Sequence, residues 1–333
     1  MLMNPSLMIF YFTLVSGTLL SISSSNWLGM WMGLEMNLLS FIPIMNKDSS
    51  PCESESSMKY FLIQAIASVI FLMSILMMSM IKINYFYIVD YFFFSALLMK
   101  MGSAPFHFWF PGVMEGMSWM NCFILMTWQK IAPFILISYK LTINYLLIVS
   151  IFLSTLIGAV GGLNQTSIRK IMSYSSISHL GWMISAMYIN MYMWMMYFIT
   201  YALMNITLIY SFKNLSLFHL SQMYFINNIT PNMKFIMMVN LMSLGGLPPL
   251  TGFLPKWFII QNMVNQGNLL TITFMVMTTL LTLFFYLRLM FSTFMFINQT
   301  YKWSNSKSNN YLMTISSMMS LGGLPIMVSL FLY

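Results

Sequence analysis

The chain has 333 residues, of which 59% are hydrophobic and 6% charged, with a mean hydropathy of +0.79. That composition excludes a soluble domain and predicts a single all-α, polytopic membrane domain over residues 1–333. The formal charge of +8 comes from 14 Lys+Arg against 6 Asp+Glu; these bases are scattered over loops and apolar segments, so nucleic acid is not an expected partner.

Eleven spans are expected in chain order. The N-terminus, MLMNPSLMIFYF, has no positive region or cleavage site and reads as part of the first span, about Pro5–Ser23. Span 2, about Trp27–Met45, carries Glu35; a polar loop, NKDSSPCESESS, leads to span 3, about Met58–Met80. Span 4, about Tyr91–Phe110, carries Lys100 and is interrupted at Gly102 and Pro105. Span 5, about Trp119–Tyr139, has Lys130 at its centre and Pro133 one turn on, which frees the Gln129 carbonyl. Spans 6 to 8 are about Thr142–Gly161, Ile171–Ile189 with His179, and Met191–Phe212. A longer loop reaches span 9, about Lys234–Val264, which contains LMSLGGLPPLTGFLPKWFIIQN. Its prolines leave backbone acceptors free at Leu244, Gly245 and Thr251, directly before Lys256. Span 10 is about Leu269–Ile297, and span 11, about Tyr311–Tyr333, follows a polar loop.

Loop charges set an orientation. Loops after even-numbered spans hold Lys47, Lys59, Arg169, Lys170, Lys213, Lys234, Lys302 and Lys307, whereas loops after odd-numbered spans hold only Lys82 and Lys140. The positive-inside rule then puts the N-terminus on the positive side and the C-terminus opposite. Spans 4 and 9 both combine Gly, Pro and Lys and lie five spans apart, which predicts an inverted repeat of spans 1–5 and 6–10. The half-repeats would cover about 1–140 and 141–297, with a terminal helix at about 311–333.

Four ionisable residues lie deep in spans: Glu35, Lys100, Lys130 and Lys256. Each costs about 2.5–3.5 kcal/mol at a helix centre, so each calls for a reason. The bland reason is a snorkelling lysine or an ion pair that only locks helices. The functional one is proton handling, because desolvation brings the titration of lysine and glutamate toward neutral pH. Unit charges about 7 Å apart at a dielectric of about 20 interact by roughly 2.4 kcal/mol, enough for one site to load or release a proton at the next. His179, in SISHLGWM, is either a relay between Lys130 and Lys256 or a neutral histidine bonded to a hydroxyl. His107 and Glu115 read as structural, and Arg288 as snorkelling.

Cys52 and Cys122 have no CxxC or Cys/His spacing and read as free thiols. No nucleotide, flavin or metalloprotease motif occurs, so no redox centre or metal is expected in this chain. The 40 methionines fit an AT-rich gene read in an animal mitochondrial code, where AUA specifies Met, and hence a chain made inside the organelle.

NWLGMWMGLEMNLLSFIPIM, LLMKMGSAPFHFWFPGVMEG, TWQKIAP, GGLNQTSIRKIMSYSSISHLGWM and SLGGLPPLTGFLPKW, in this order, make the resemblance specific. The chain resembles the antiporter-like membrane subunits of NADH:ubiquinone oxidoreductase, respiratory complex I, in the shortened animal mitochondrial form; these are related to Mrp-type sodium/proton antiporters. The resemblance implies a proton-translocating subunit of the inner-membrane arm. It further implies a Glu35–Lys100 pair, a central Lys130, Lys256 toward an exit, and His179 as a possible relay. Expected partners are the other membrane-arm subunits, chains 4 and 4L as neighbours, and phospholipids. NADH, FMN, Fe–S clusters and ubiquinone would belong to other subunits. A free-standing cation/proton antiporter and a structural membrane-arm spacer remain alternatives.

Overall fold

The computed structural model describes residues 5–47, 50–80, 86–140, 145–224 and 231–294. Those residues are almost entirely helical, with no strand beyond an isolated bridge between Ser167 and His219. The span expected at 311–333 lies outside the described residues, as do Lys82, Lys302 and Lys307. The helices gather into two compact units, residues 1–153 and 154–333, whose boundary falls inside α8 (Tyr145–Leu163).

In the first unit, α1 (Pro5–Ser23) and α2 (Trp27–Met45) pack at glycines. A Cβ on Gly33 would lie 2.5 Å from the Ser21 amide nitrogen and 2.8 Å from the Gly17 carbonyl, so only a hydrogen there lets the backbones meet. The next helix, α3 (Pro51–Met80), begins seven residues before the expected start at Met58. The reason is local: Ser50 Oγ accepts from the Glu53 amide at 3.3 Å, Pro51 occupies the first helical position, and Glu53 adds an acid to the first turn. This extra turn is a seat, since a Cβ on Gly116 would strike the Cys52 carbonyl at 2.6 Å. The fourth expected span is α4 (Phe86–Met101), a break, and α5 (Trp109–Gly116). The fifth is also in two pieces, α6 (Trp119–Met126) and α7 (Trp128–Tyr139), divided at Thr127.

In the second unit, α9 (Ile168–Ile189) and α10 (Met191–Asn214) pack together. The serines of α9 are buried yet bonded: Ser175, Ser176 and Ser178 each donate to a carbonyl three residues back at 2.7 Å. The short α11 (Leu220–Tyr224) lies within the expected long loop. The ninth span divides into α12 (Pro231–Gly245) and α13 (Phe253–Asn265), and α14 (Leu269–Phe294) follows.

Seven helical segments among the described residues are long and apolar enough to cross a membrane, among them Trp119–Tyr139 as one segment. The broken pairs α4–α5 and α12–α13 fall short because interruption shortens each piece, and α9 because its serines dilute its apolar character. The protein is a multi-pass, all-α membrane protein.

Candidate functional site

The first break begins where α4 ends. Gly102 turns the chain with φ +72°, and a Cβ there would lie 3.0 Å from the Phe110 ring. A helix end leaves carbonyls without partners, and in lipid each must be covered. Here the cover is complete at three successive residues. The Leu98 carbonyl accepts from Ser103 N at 3.1 Å and Oγ at 3.2 Å. The Met99 carbonyl accepts from Gly102 N and Trp109 Nε1, both at 3.2 Å. The Lys100 carbonyl accepts from Gln64 Nε2 on α3 at 3.2 Å.

The Lys100 side chain, 7% exposed, lines a small cavity with Asn37, Tyr60, Gln64, Gln129 and Pro133. The centre of a water can occupy about 10 Å³ of it, which is room for about one molecule. Glu35 on α2 is half-buried, and its Oε1 meets no hydrogen-bonding partner among the described residues. Its carboxylate lies within electrostatic reach of Lys100 and of the Tyr60 hydroxyl, without a direct ion pair to Lys100.

Lys130 is 1% exposed, and its ammonium stands 5.5 Å from the centroid of the Phe110 ring. That ring also packs at Gly102, so Lys130 and the first break share a wall. Pro133 lines the Lys100 cavity, but the interruption near Lys130 falls earlier, at Thr127. Thr127 Oγ1 bonds to the Phe123 carbonyl at 2.8 Å, and its own carbonyl accepts from Lys130 N at 3.1 Å. Gln129, beside Lys130, donates through Nε2 to Asn37 Oδ1 at 3.0 Å, tying α7 to α2.

The second break is built differently. Lys256 on α13, 7% exposed, folds back and donates to the carbonyls of Gly245 at 3.0 Å and Leu244 at 3.5 Å. These are two of the acceptors that the proline run frees. The ammonium also stands 6.0 Å from the centroid of the Trp182 ring on α9. Gly246 turns at φ +84° beneath it, where a Cβ would meet Lys256 Nζ at 2.9 Å. His179, one turn before Trp182 on α9, is bonded through Nδ1 to the Tyr197 hydroxyl at 2.8 Å and lies 5.1 Å from the Tyr201 ring.

The family of the chain can now be read from its likeness to other proteins. A family model described as NADH:quinone oxidoreductase/Mrp antiporter, transmembrane, matches residues 24–282. NADH-ubiquinone oxidoreductase chain 2 of Anopheles gambiae is 50% identical over 331 residues, covering 97% of this chain and 96% of that one. This chain belongs to the NADH-ubiquinone oxidoreductase chain 2 family. The fold agrees with two solved assemblies. A chain of respiratory complex I from Thermus thermophilus superposes with a TM-score of 0.85 at 22% identity, covering 96% of this chain and 78% of that one. A chain of the Mrp complex from Dietzia sp. gives 0.78 at 14%, covering 95% and 75%.

For this family member, Glu35, Lys100 and Lys130 come together in the first unit, and His179 and Lys256 in the second. Arg288 is held by the protein itself: its guanidinium donates to the Leu163 carbonyl and to the Gln165 carbonyl at 3.1 Å, closing the end of α8. His107 is buried, with Nδ1 3.3 Å from the Pro105 carbonyl, and Glu115 is half-buried in α5. The neutral residues of the site, Asn37, Gln64, Gln129, Tyr197 and Trp182, escape a reading that looks for charge. Their signal in the sequence is an amide inside an apolar segment, or a tyrosine with polar neighbours at four-residue spacing.

Proposed function

We propose that this chain is the antiporter-like, proton-translocating subunit of the membrane arm of mitochondrial NADH:ubiquinone oxidoreductase. It lies in the inner membrane, with its N-terminus in the matrix and its C-terminus in the intermembrane space. Electron transfer from NADH to ubiquinone takes place in other subunits, which carry the FMN, Fe–S clusters and quinone site. Chains 4 and 4L are its neighbours, with phospholipids around it. The observation that carries this reading is the burial of Lys100, Lys130 and Lys256 to 7%, 1% and 7% exposure in or beside interrupted helices.

The chemistry follows from the neighbours. A change in the distance between Glu35 and Lys100 alters the charge that Lys100 holds. The adjoining cavity has room for the water that a proton needs to leave it. Lys130 shares the Phe110 wall of that break and is the next acceptor; Lys256, with His179 on the neighbouring helix, serves the exit side. Assembly is tested first on a native gel of mitochondrial membranes, where this chain co-migrates with NADH dehydrogenase activity in a very large band. A small inactive band favours a free antiporter. In the assembled complex, Lys130→Ala lowers protons moved per electron while NADH oxidation by uncoupled membranes persists. Normal pumping in that variant removes Lys130 from the path.

A further inference from the structure

Asn240 of α12 is 1% exposed, and neither its amide oxygen nor its amide nitrogen meets a hydrogen-bonding partner among the described residues. Each such buried orphan costs about 1–3 kcal/mol, so an apolar side chain would be cheaper at this place. The neighbouring hydroxyl does not help, because Ser243 Oγ donates to the Asn240 backbone carbonyl at 2.7 Å. A buried amide with its whole bonding capacity open, in a polar setting, marks a place for ordered water.

The setting is polar and lies between groups that matter. Four-residue spacing sets Tyr197, Tyr201 and Asn205 on one stripe of α10, and the His179 ring joins that stripe through the Tyr197 hydroxyl. Asn205, 1% exposed, lies against the Tyr201 hydroxyl, and its Nδ2 makes no well-formed hydrogen bond among the described residues. Asn240 is one turn before Leu244, whose carbonyl receives Lys256. The helices are close here, since a Cβ on Gly252 would touch both the Ser243 carbonyl and Met204 Sδ, the neighbour of Asn205. A metal cation does not suit the place, with an ammonium a turn away and open amide donors. Nor is there a carboxylate in this unit: the acids of the chain are Glu35, Asp48, Glu53, Glu55, Asp90 and Glu115.

We propose that Asn240 is a positioning residue that holds water between Lys256 and the His179–Tyr197–Tyr201 group. The proposal rests on the proton-translocation reading above. The water accepts from Asn240 Nδ2 or donates to its Oδ1, and turns a lone pair toward the ammonium. A proton leaves Lys256 Nζ for the water oxygen as the water passes one of its own protons toward His179. The lysine becomes neutral, the imidazole gains the charge, and the water is unchanged. The reverse order returns the proton.

The test has two parts on the intact complex. A cryo-EM map that resolves ordered water shows a peak about 2.7–3.2 Å from Asn240 Oδ1 or Nδ2. A dry site, or an Asn240 amide bonded to protein, overturns the proposal, as does a peak that depends on sodium. In the assembled complex, Asn240→Leu slows proton-coupled turnover by roughly tenfold and changes its solvent deuterium effect, while Asn240→Ser keeps most of the rate. An assembled Asn240→Leu complex that pumps normally overturns the proposal, and if that variant does not assemble the map decides. Lys130→Ala and Lys256→Ala separate the two failures. If they pump normally the proton-translocation reading falls, whereas if they stop pumping and Asn240→Leu does not, only the role of Asn240 falls.

Discussion

The two broken helices use the same residues to opposite ends. At the first break, three side-chain donors and two backbone amides cover the carbonyls of Leu98, Met99 and Lys100, and the lysine side chain is left facing a water-sized cavity within reach of Glu35. At the second, the lysine itself covers the carbonyls of Leu244 and Gly245, and no acid lies in its unit. One lysine is therefore free to answer a change in a carboxylate, and the other is solvated by backbone dipoles and an indole. A Gly–Pro–Lys cluster in an apolar segment marks a site, but the neighbours decide whether its lysine senses charge or closes a gap.

That difference can be broken outright at Gly252. A Cβ there would lie 1.7 Å from the Ser243 carbonyl, a distance no small shift relieves, so Gly252→Ala removes the chain from the assembled complex. Gly112→Ala is the control, because nothing lies within 4 Å of its Cβ. Native-gel assembly that is equal for both variants would show that α12 and α13 do not need this approach.

A finer distinction separates the lysines by stability. Lys256→Met strands two carbonyls at about 1–3 kcal/mol each, whereas Lys100→Met strands none. Thermal unfolding of the purified membrane arm should therefore fall further for Lys256→Met, and equal losses would place the two lysines in the same role. Glu35→Gln keeps shape and removes charge. It removes the charge that Lys100 feels, a coupling of roughly 2.4 kcal/mol for unit charges about 7 Å apart at a dielectric of about 20, so it lowers protons per electron with assembly intact. A variant that assembles poorly but pumps normally per complex would make Glu35 a structural clamp. The smallest effect is expected for Gln64→Leu, which removes one buried hydrogen bond and costs about 1–3 kcal/mol by leaving the Lys100 carbonyl bare. Its readout is amide exchange near the end of α4, and unchanged exchange would show that another donor takes over.

The recognition of the breaks, and of the buried charges beside them, was legible in the chain because proline and glycine act locally. Proline removes a donor wherever it stands, and a lysine in an apolar run is costly in any fold. The start of α3 was missed by seven residues: the Ser50, Pro51 and Glu53 signature stands in the chain, but a polar composition hid it inside an apparent loop. The interruption at Thr127 was harder, since nothing in the residue itself announces it; it lies six residues before Pro133, in a segment whose residues on either side are helical.

By itself the sequence determined the class of the protein, most helix bounds among the described residues, two interrupted helices, and the positions Glu35, Lys100, Lys130, His179 and Lys256 as titratable groups inside apolar segments. Apolar length, proline chemistry and the cost of buried charge are properties of short stretches, so no fold is needed to read them. Only the tertiary structure decided what each centre touches. Gln64 reaches Lys100 from 36 residues away, Gln129 reaches Asn37 from 92, and Lys256 turns back onto a break 11 residues behind it. Neutral amides and backbone carbonyls carry no charge to betray them in the chain, and they become part of a site only when packing excludes water and leaves them as the partners at hand.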